Sequence, residues 1–225
     1  MKARVLAFGV PVALTLLMIL APLTATSSRA QMGQPLDQLA GDDFDTAFLQ
    51  QMTMHHAMAV EMAKPAVANA THQEAKDLAQ SIIDAQTKEI TQMRGWAKDW
   101  YELDIPDPVA MMGQSQSMAG MNHSGMGSGM GMPMQGGMPM GQMGNMSAMN
   151  DMSMMASLWQ LPPQRLEVVF LSQMVPHHQS ALDAAKLVPD RAAHQELKDL
   201  AKSITESQSA EIDKMNGWLA SWYGL

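Results

Sequence analysis

Two His-His pairs, His55-His56 and His177-His178, each begin three residues after a methionine, Met52 or Met174. Neutral imidazole is a ligand for copper, nickel, iron and zinc, and a thioether beside it shifts the preference toward Cu(I). A further donor group, Met121, His123 and Met126, stands between the pairs in a stretch, residues 111 to 155, that holds 16 Met and 10 Gly. The chain has 26 Met and no Cys, so disulfides and thiolate sites are excluded and the soft donors are thioether and imidazole alone. A lone His on an apolar face is ordinarily a hydrogen-bonded structural residue. Duplication of the pair with its methionine is what points to metal ligation by at least one His of each pair.

On a helix, at about 100° per residue, Met52 falls between His55 and His56, so one sulfur is flanked by two rings. Adjacent side chains diverge by that same angle of about 100°, and one ion takes both rings only with help from another helix. The expected site is therefore shared across helices. Gln86 and Glu89, with their counterparts Gln208 and Glu211, lie within an otherwise apolar helical stripe, where an unpaired amide or carboxylate costs several kcal/mol. Their natural partners are His ring N–H groups, which would fix tautomer and orientation; direct ligation by Glu89 is the alternative. His72 and His194, near the turns, read as helix-capping residues, and as ligands they would form a separate turn-end site. Met54, Met58 and Met62 make an i, i+4 row present only in the first half, by default core filler, with extra Cu(I) donors beside Met52, His55 and His56 as the alternative.

The elements that must position these groups are set by an internal repeat. A shift of 122 residues aligns 44–101 with 166–223 without a gap, with 27 identical pairs among 58 positions. Each copy reads as a helical hairpin. Positions 48, 49, 52, 55, 56, 59 and 63 share a stripe of about 120° on the first helix, and positions 78 to 100 carry a second stripe of about 100°. Pro65 and Asn69, and Pro189 and Asp190 in the second copy, are expected to break the first helices. Thr71 and Glu74 have capping-box spacing at the start of the second, and Pro176 is expected to kink the helix just ahead of His177. Neither hairpin buries its stripe alone, so the fold expected is all-α, a four-helix bundle of two hairpins.

Outside the repeats, Lys2 and Arg4 precede an apolar run, Val5 to Leu23, and a small-residue site ending at Ala30, the pattern of a secretory signal over residues 1–30. A flexible leader, 31–43, the first repeat, 44–103, a Met/Gly-rich flexible linker, 104–156, and the second repeat, 157–225, complete the expected organisation. Formal charge is 14 cationic against 22 anionic side chains, or 11 against 22 without residues 1–30. That balance tells against nucleic acid or an anionic membrane as partner.

The patterns Phe48-Leu49-x-x-Met52-x-x-His55-His56-x-x-Ala59 and Phe170-Leu171-x-x-Met174-Val175-Pro176-His177-His178-Gln179, each followed by Gln-x-x-Glu-Ile-x-x-Met-x-x-Trp, resemble the domain of unknown function 305 family, in two tandem copies. That family includes CopM-type copper-binding proteins. The resemblance implies a ferritin-like four-helix bundle in the periplasm or outside the cell, binding copper and aiding tolerance to it. Thr53-Met54 replaces the Met-x-Pro-His-His form in the first copy, so the two sites need not be equivalent, and the Met-rich insert lies outside the family pattern.

These readings converge on a copper-binding protein that sequesters, buffers or hands over Cu(I) or Cu(II), with a copper-transport or efflux protein of the envelope as its partner and no catalytic turnover. A ferritin-like oxidase is the alternative, but its Glu-x-x-His motif is missing. A metal-independent envelope adaptor, gripping apolar partners through the Met-rich segment, is a third class.

Overall fold

The computed structural model describes residues 35–109 and 157–225. Among the described residues there are four long helices and no strand: α1 (Asp42–Asn69), α2 (Gln73–Tyr101), α3 (Pro163–Ala185) and α5 (Gln195–Tyr223), with a single turn, α4 (Val188–Arg191), between the last two. α1 pairs with α2, α3 pairs with α5, and α1 lies against α3. None of these helices is long and apolar enough to cross a membrane.

The apolar stripes assemble into two cores related by the repeat. One joins Phe44, Phe48 and Leu49 at the start of α1 to Ala181 and Ala185 at the end of α3, with Ala97 of α2 and Leu197 and Ile204 of α5. The other joins Ala63 and Ala66 at the end of α1 to Leu166, Phe170 and Leu171 at the start of α3, with Ile82 of α2 and Leu219 of α5. Start meets end in both, so α1 and α3 are antiparallel and the 122-residue shift acts as a pseudo-two-fold axis through the middle of the bundle.

Three local expectations are corrected. Pro65 does not end α1, which continues to Asn69. Ala63 and Ala66 on either side are fully buried, and covering that face outweighs the one backbone bond that a proline removes. The second copy does break, at Ala185, and Pro189 then sits in the first turn of α4. Pro176, where a kink is expected, does not interrupt α3, and its ring is on the exposed face. Residues 35–43 are not loose: Leu39 is buried, its carbonyl accepts from Arg191 at 3.0 Å, and α1 begins at Asp42. At the far side, Ile105, in the expected linker, is buried and its carbonyl accepts from Arg94 Nε at 2.8 Å.

Candidate metal centre

Between the two apolar cores, where the pseudo-two-fold axis passes, the interior turns polar. Met52 and Met174 are buried, one in each core, one turn before their His pairs. His56 and His178 are completely buried, and each ring Nε2 lies 2.7 Å from a carboxylate oxygen of its own repeat, Glu89 for His56 and Glu211 for His178. An ionised carboxylate only accepts, so Nε2 carries the proton and donates. In a neutral ring that leaves Nδ1 as the bare lone pair, and in both residues Nδ1 is buried without a partner. Glu89 and Glu211 thus hold each imidazole in the tautomer that presents Nδ1 as a ligand.

His55 and His177 meet on the axis itself. Their rings stack with centroids 3.7 Å apart and planes inclined by 31°. Burial first, and the neighbouring His56 and His178 next, push the His55 imidazole down to about 4 from its ordinary 6.5, against an opposing contribution from the His177 carbonyl. Burial, followed by the charges that His55, His178 and His56 would carry, takes His177 to about 2, against an opposing contribution from the His55 carbonyl, which lies toward the ring without a hydrogen bond of good geometry. Both rings are neutral at physiological pH, the state in which imidazole ligates.

The stacked pair is not symmetric. His55 Nε2 donates to the His177 carbonyl at 3.0 Å and lies 2.7 Å from the Ser180 hydroxyl, which itself donates to that carbonyl at 2.7 Å. Both ring nitrogens of His177 are buried with no partner. Among the described residues, the buried side-chain nitrogens and oxygens without a partner are nine atoms, on Thr53, His55, His56, Gln86, His177, His178 and Gln208, all within this one layer. Five of the nine are imidazole nitrogens. The expectation that Gln86 finds a partner is corrected: neither its amide oxygen nor its nitrogen has one, and Gln208 Oε1 also stands alone. Each such atom costs on the order of 1–3 kcal/mol, so the layer is held at the expense of stability. These residues fit a metal ion, with unprotonated ring nitrogens as donors. Among the described residues, however, no three His, Asp or Glu side chains converge as a ready cage. The stack explains why, since lone pairs of face-to-face rings run side by side instead of meeting.

The bundle ends carry a second constellation that spacing alone did not disclose. Asp45 of α1, fully buried, accepts from the amides of Ala193 and His194 at 3.0 and 3.1 Å, from the His194 ring at 2.8 Å and from the Tyr101 hydroxyl at 3.0 Å. Glu167 of α3 repeats this at the opposite end, accepting from the amides of Thr71 and His72 at 2.7 Å and from the His72 ring and Tyr223 hydroxyl at 2.5 Å. Trp100 stacks on His194, and Trp222 on His72, both at 3.9 Å. His72 and His194 do occupy the N-cap positions, but neither side chain makes the cap bond. The Thr71 capping box is likewise replaced by a carboxylate from the other repeat. Burial would raise the Glu167 carboxyl, and the hydrogen bonds from Tyr223 and His72 overcome that and hold it below the usual carboxylate range. Burial, reinforced by the carboxylate partners, raises the Tyr101 and Tyr223 hydroxyls above the ordinary phenol value. The clue in the sequence was an acidic residue at matched positions beside each buried stripe, Asp45 and Glu167.

Met54 is exposed, Met58 half-buried and Met62 buried. Met121, His123 and Met126, with the signal and most of the linker, lie outside the described residues.

The family model for the domain of unknown function 305 (DUF305) matches residues 23–97 and 45–219. The chain belongs to the DUF305 family. The overlapping matches are compatible with the tandem copies that the 122-residue shift reveals. This DUF305 chain is similar to the solved structure of CopM in its Cu(II)-bound form, with 30% identity and a TM-score of 0.55 over 80% of this chain and 97% of that one. It is similar to CopM in its Cu(I)-bound form at 28% identity, also with a TM-score of 0.55 and the same coverage. A putative secreted DUF305 protein from Streptomyces coelicolor matches at 26% identity with a TM-score of 0.53, over 78% of this chain and 92% of that one. No curated sequence matches the chain. The similarity to CopM, solved with Cu(I), Cu(II) and Ag, suggests a copper-related role for this DUF305 chain.

Proposed function

We propose that this DUF305 chain is a periplasmic or secreted copper carrier that binds Cu(I) or Cu(II) at the midplane of its bundle and on its Met-rich linker, and buffers the ion or passes it to an envelope transport protein. The observation that carries the reading is the gathering of five partnerless imidazole nitrogens in one buried layer, two of them on rings whose tautomer a carboxylate holds. To take an ion, the His55–His177 pair would have to part, and the ring nitrogens of His55 and His177 with the Nδ1 atoms of His56 and His178 would then be the donors that hold it. Met52 and Met174, on the flanks of the layer, are the thioethers nearest in sequence. Turnover is no part of the role: Glu89 and Glu211 serve His56 and His178, and neither belongs to a Glu-x-x-His motif.

The test is titration of Cu(I) under reductant, and of Cu(II), into the full chain, a His55/His56/His177/His178→Gln variant and a deletion of residues 111–155. Each variant should lose part of the stoichiometry, with helical content retained by circular dichroism. Unchanged stoichiometry in both would overturn the assignment.

A further inference from the structure

The asymmetry of the stacked pair has a counterpart on the helix that faces His177. Under the 122-residue repeat His55 corresponds to His177, and Ser180 of α3 corresponds to Met58 of α1. Ser180 is the residue that reaches across the interface to His55, at 2.7 Å from Nε2. The same operation relates Ser180 to Met58, one turn beyond His55 on α1, and so directs Met58 toward the His177 side of the interface. Met58 is half-buried there and lies against the apolar cluster that includes Phe170, Leu171 and Met174 of α3.

The two halves therefore offer different chemistry. On the Ser180 side a hydroxyl and a carbonyl, both hard oxygens, already occupy His55 Nε2. On the other side neither His177 nitrogen makes a hydrogen bond, and the residue that the repeat puts in the place of Ser180 is a thioether, Met58. Sulfur is a poor hydrogen-bond acceptor and does not replace the missing oxygen, but it is a good donor to a soft monovalent d10 ion, which accepts few ligands. We infer that Met58 of the first repeat and His177 of the second form a cross-repeat, soft-ion subsite selective for Cu(I) or Ag(I), and that the related His55–Ser180 half is not its equal. The inference rests on the copper-carrier reading above and adds to it a specificity residue, Met58, and an ordering of the two halves. Cu(II), which favours nitrogen and oxygen donors in tetragonal geometry, gains the imidazole from this pair but little from the thioether.

The experiment uses the full chain labelled at methionine methyl carbons and imidazole nitrogens, with Ag(I) as a redox-inert probe followed by NMR. Met58→Leu assigns the Met58 methyl signal while keeping volume, and Met58→Ser copies the residue that the second repeat tolerates at this position. Ag(I) should shift the Met58 methyl and the His177 ring nitrogens together. That methyl shift should be lost in His177→Gln and kept in His55→Gln, and Met58→Ser should abolish the His177 response. Ser180→Met should give His55 a new response to Ag(I). Shifts of the four imidazoles with the Met58 methyl unmoved would overturn the subsite and leave the carrier reading standing. Silence of all four imidazoles and of Met58 would overturn both.

Discussion

Acidifying the metal-free protein from about pH 7 to about pH 5 should destabilise it through two buried rings, and substitution separates their contributions. In the folded chain His177 is held near 2 and His55 near 4, against 6.5 for an unperturbed ring. A group whose folded pKa is depressed contributes its stability in full above the unfolded value and loses it as pH falls toward the folded one. Over this interval the unfolded chain takes up a proton at each position that the native state refuses. At about 1.4 kcal/mol per pH unit, integrated about a midpoint of 6.5, each ring accounts for a loss of about 2 kcal/mol, or about 4 kcal/mol for the two. In His177→Gln one of the two disappears. Burial is the largest cause that lowers His55, and the His177 carbonyl survives the substitution, so His55 stays neutral over this interval and the variant should lose about 2 kcal/mol less than the wild type. Urea unfolding followed by tryptophan fluorescence and far-ultraviolet circular dichroism, in chelator-treated samples at stepped pH, measures this directly. The reasoning is refuted if wild type and variant lose stability in parallel.

Glu167→Gln removes the charge from a buried carboxylate that serves two amides, a ring and a phenol, and should cost about 2–4 kcal/mol in urea unfolding at neutral pH. Because Glu167 is depressed below the ordinary carboxyl value of 4.5, its contribution is present above that value and fades in acid, so the gap between wild type and variant should narrow as pH drops below it. Glu89→Gln with Glu211→Gln should weaken Cu(I) affinity about 10- to 100-fold in a chromophoric-chelator competition, and unchanged affinity would remove the tautomer-holding role. Glu102→Gly should raise the unfolding midpoint, since Glu102 caps α2 at φ 53 where the second repeat has Gly224 at φ 69, and the left-handed conformation costs a non-glycine residue about 1 kcal/mol.

Much of this arrangement was legible in the chain, for identifiable reasons. Four helices and their pairing followed from a repeat whose stripes had a single period and no way to be covered except by each other. A His ring could be expected as the partner of Glu89, because both lie on stripes that antiparallel neighbours turn toward each other, and the structure makes that ring His56. Contacts made between the two repeats were not legible. Asp45 and Glu167 were not singled out, because periodicity reports which face a residue occupies and not which distant amide it meets. Thr71 was expected to cap its own helix because local spacing allowed it, whereas a buried carboxylate from across the bundle supplies a stronger, charge-assisted bond. The stack of His55 on His177 likewise depends on helix register across the pseudo-two-fold axis, which spacing within one helix does not encode.

The reciprocal end clamps make each hairpin the other's missing half. The first turn of α5 is completed by Asp45 and that of α2 by Glu167, so an isolated hairpin leaves its own second helix unfinished and an acidic side chain without its amides. Two identical hairpins could satisfy both needs only by meeting as twins, and then every position near the axis would be forced to match its mate. Joining them in one polypeptide keeps the mates together by effective concentration and releases them from that sameness. Ser180 and Met58 show what such freedom permits, two equivalent positions that no longer have to agree.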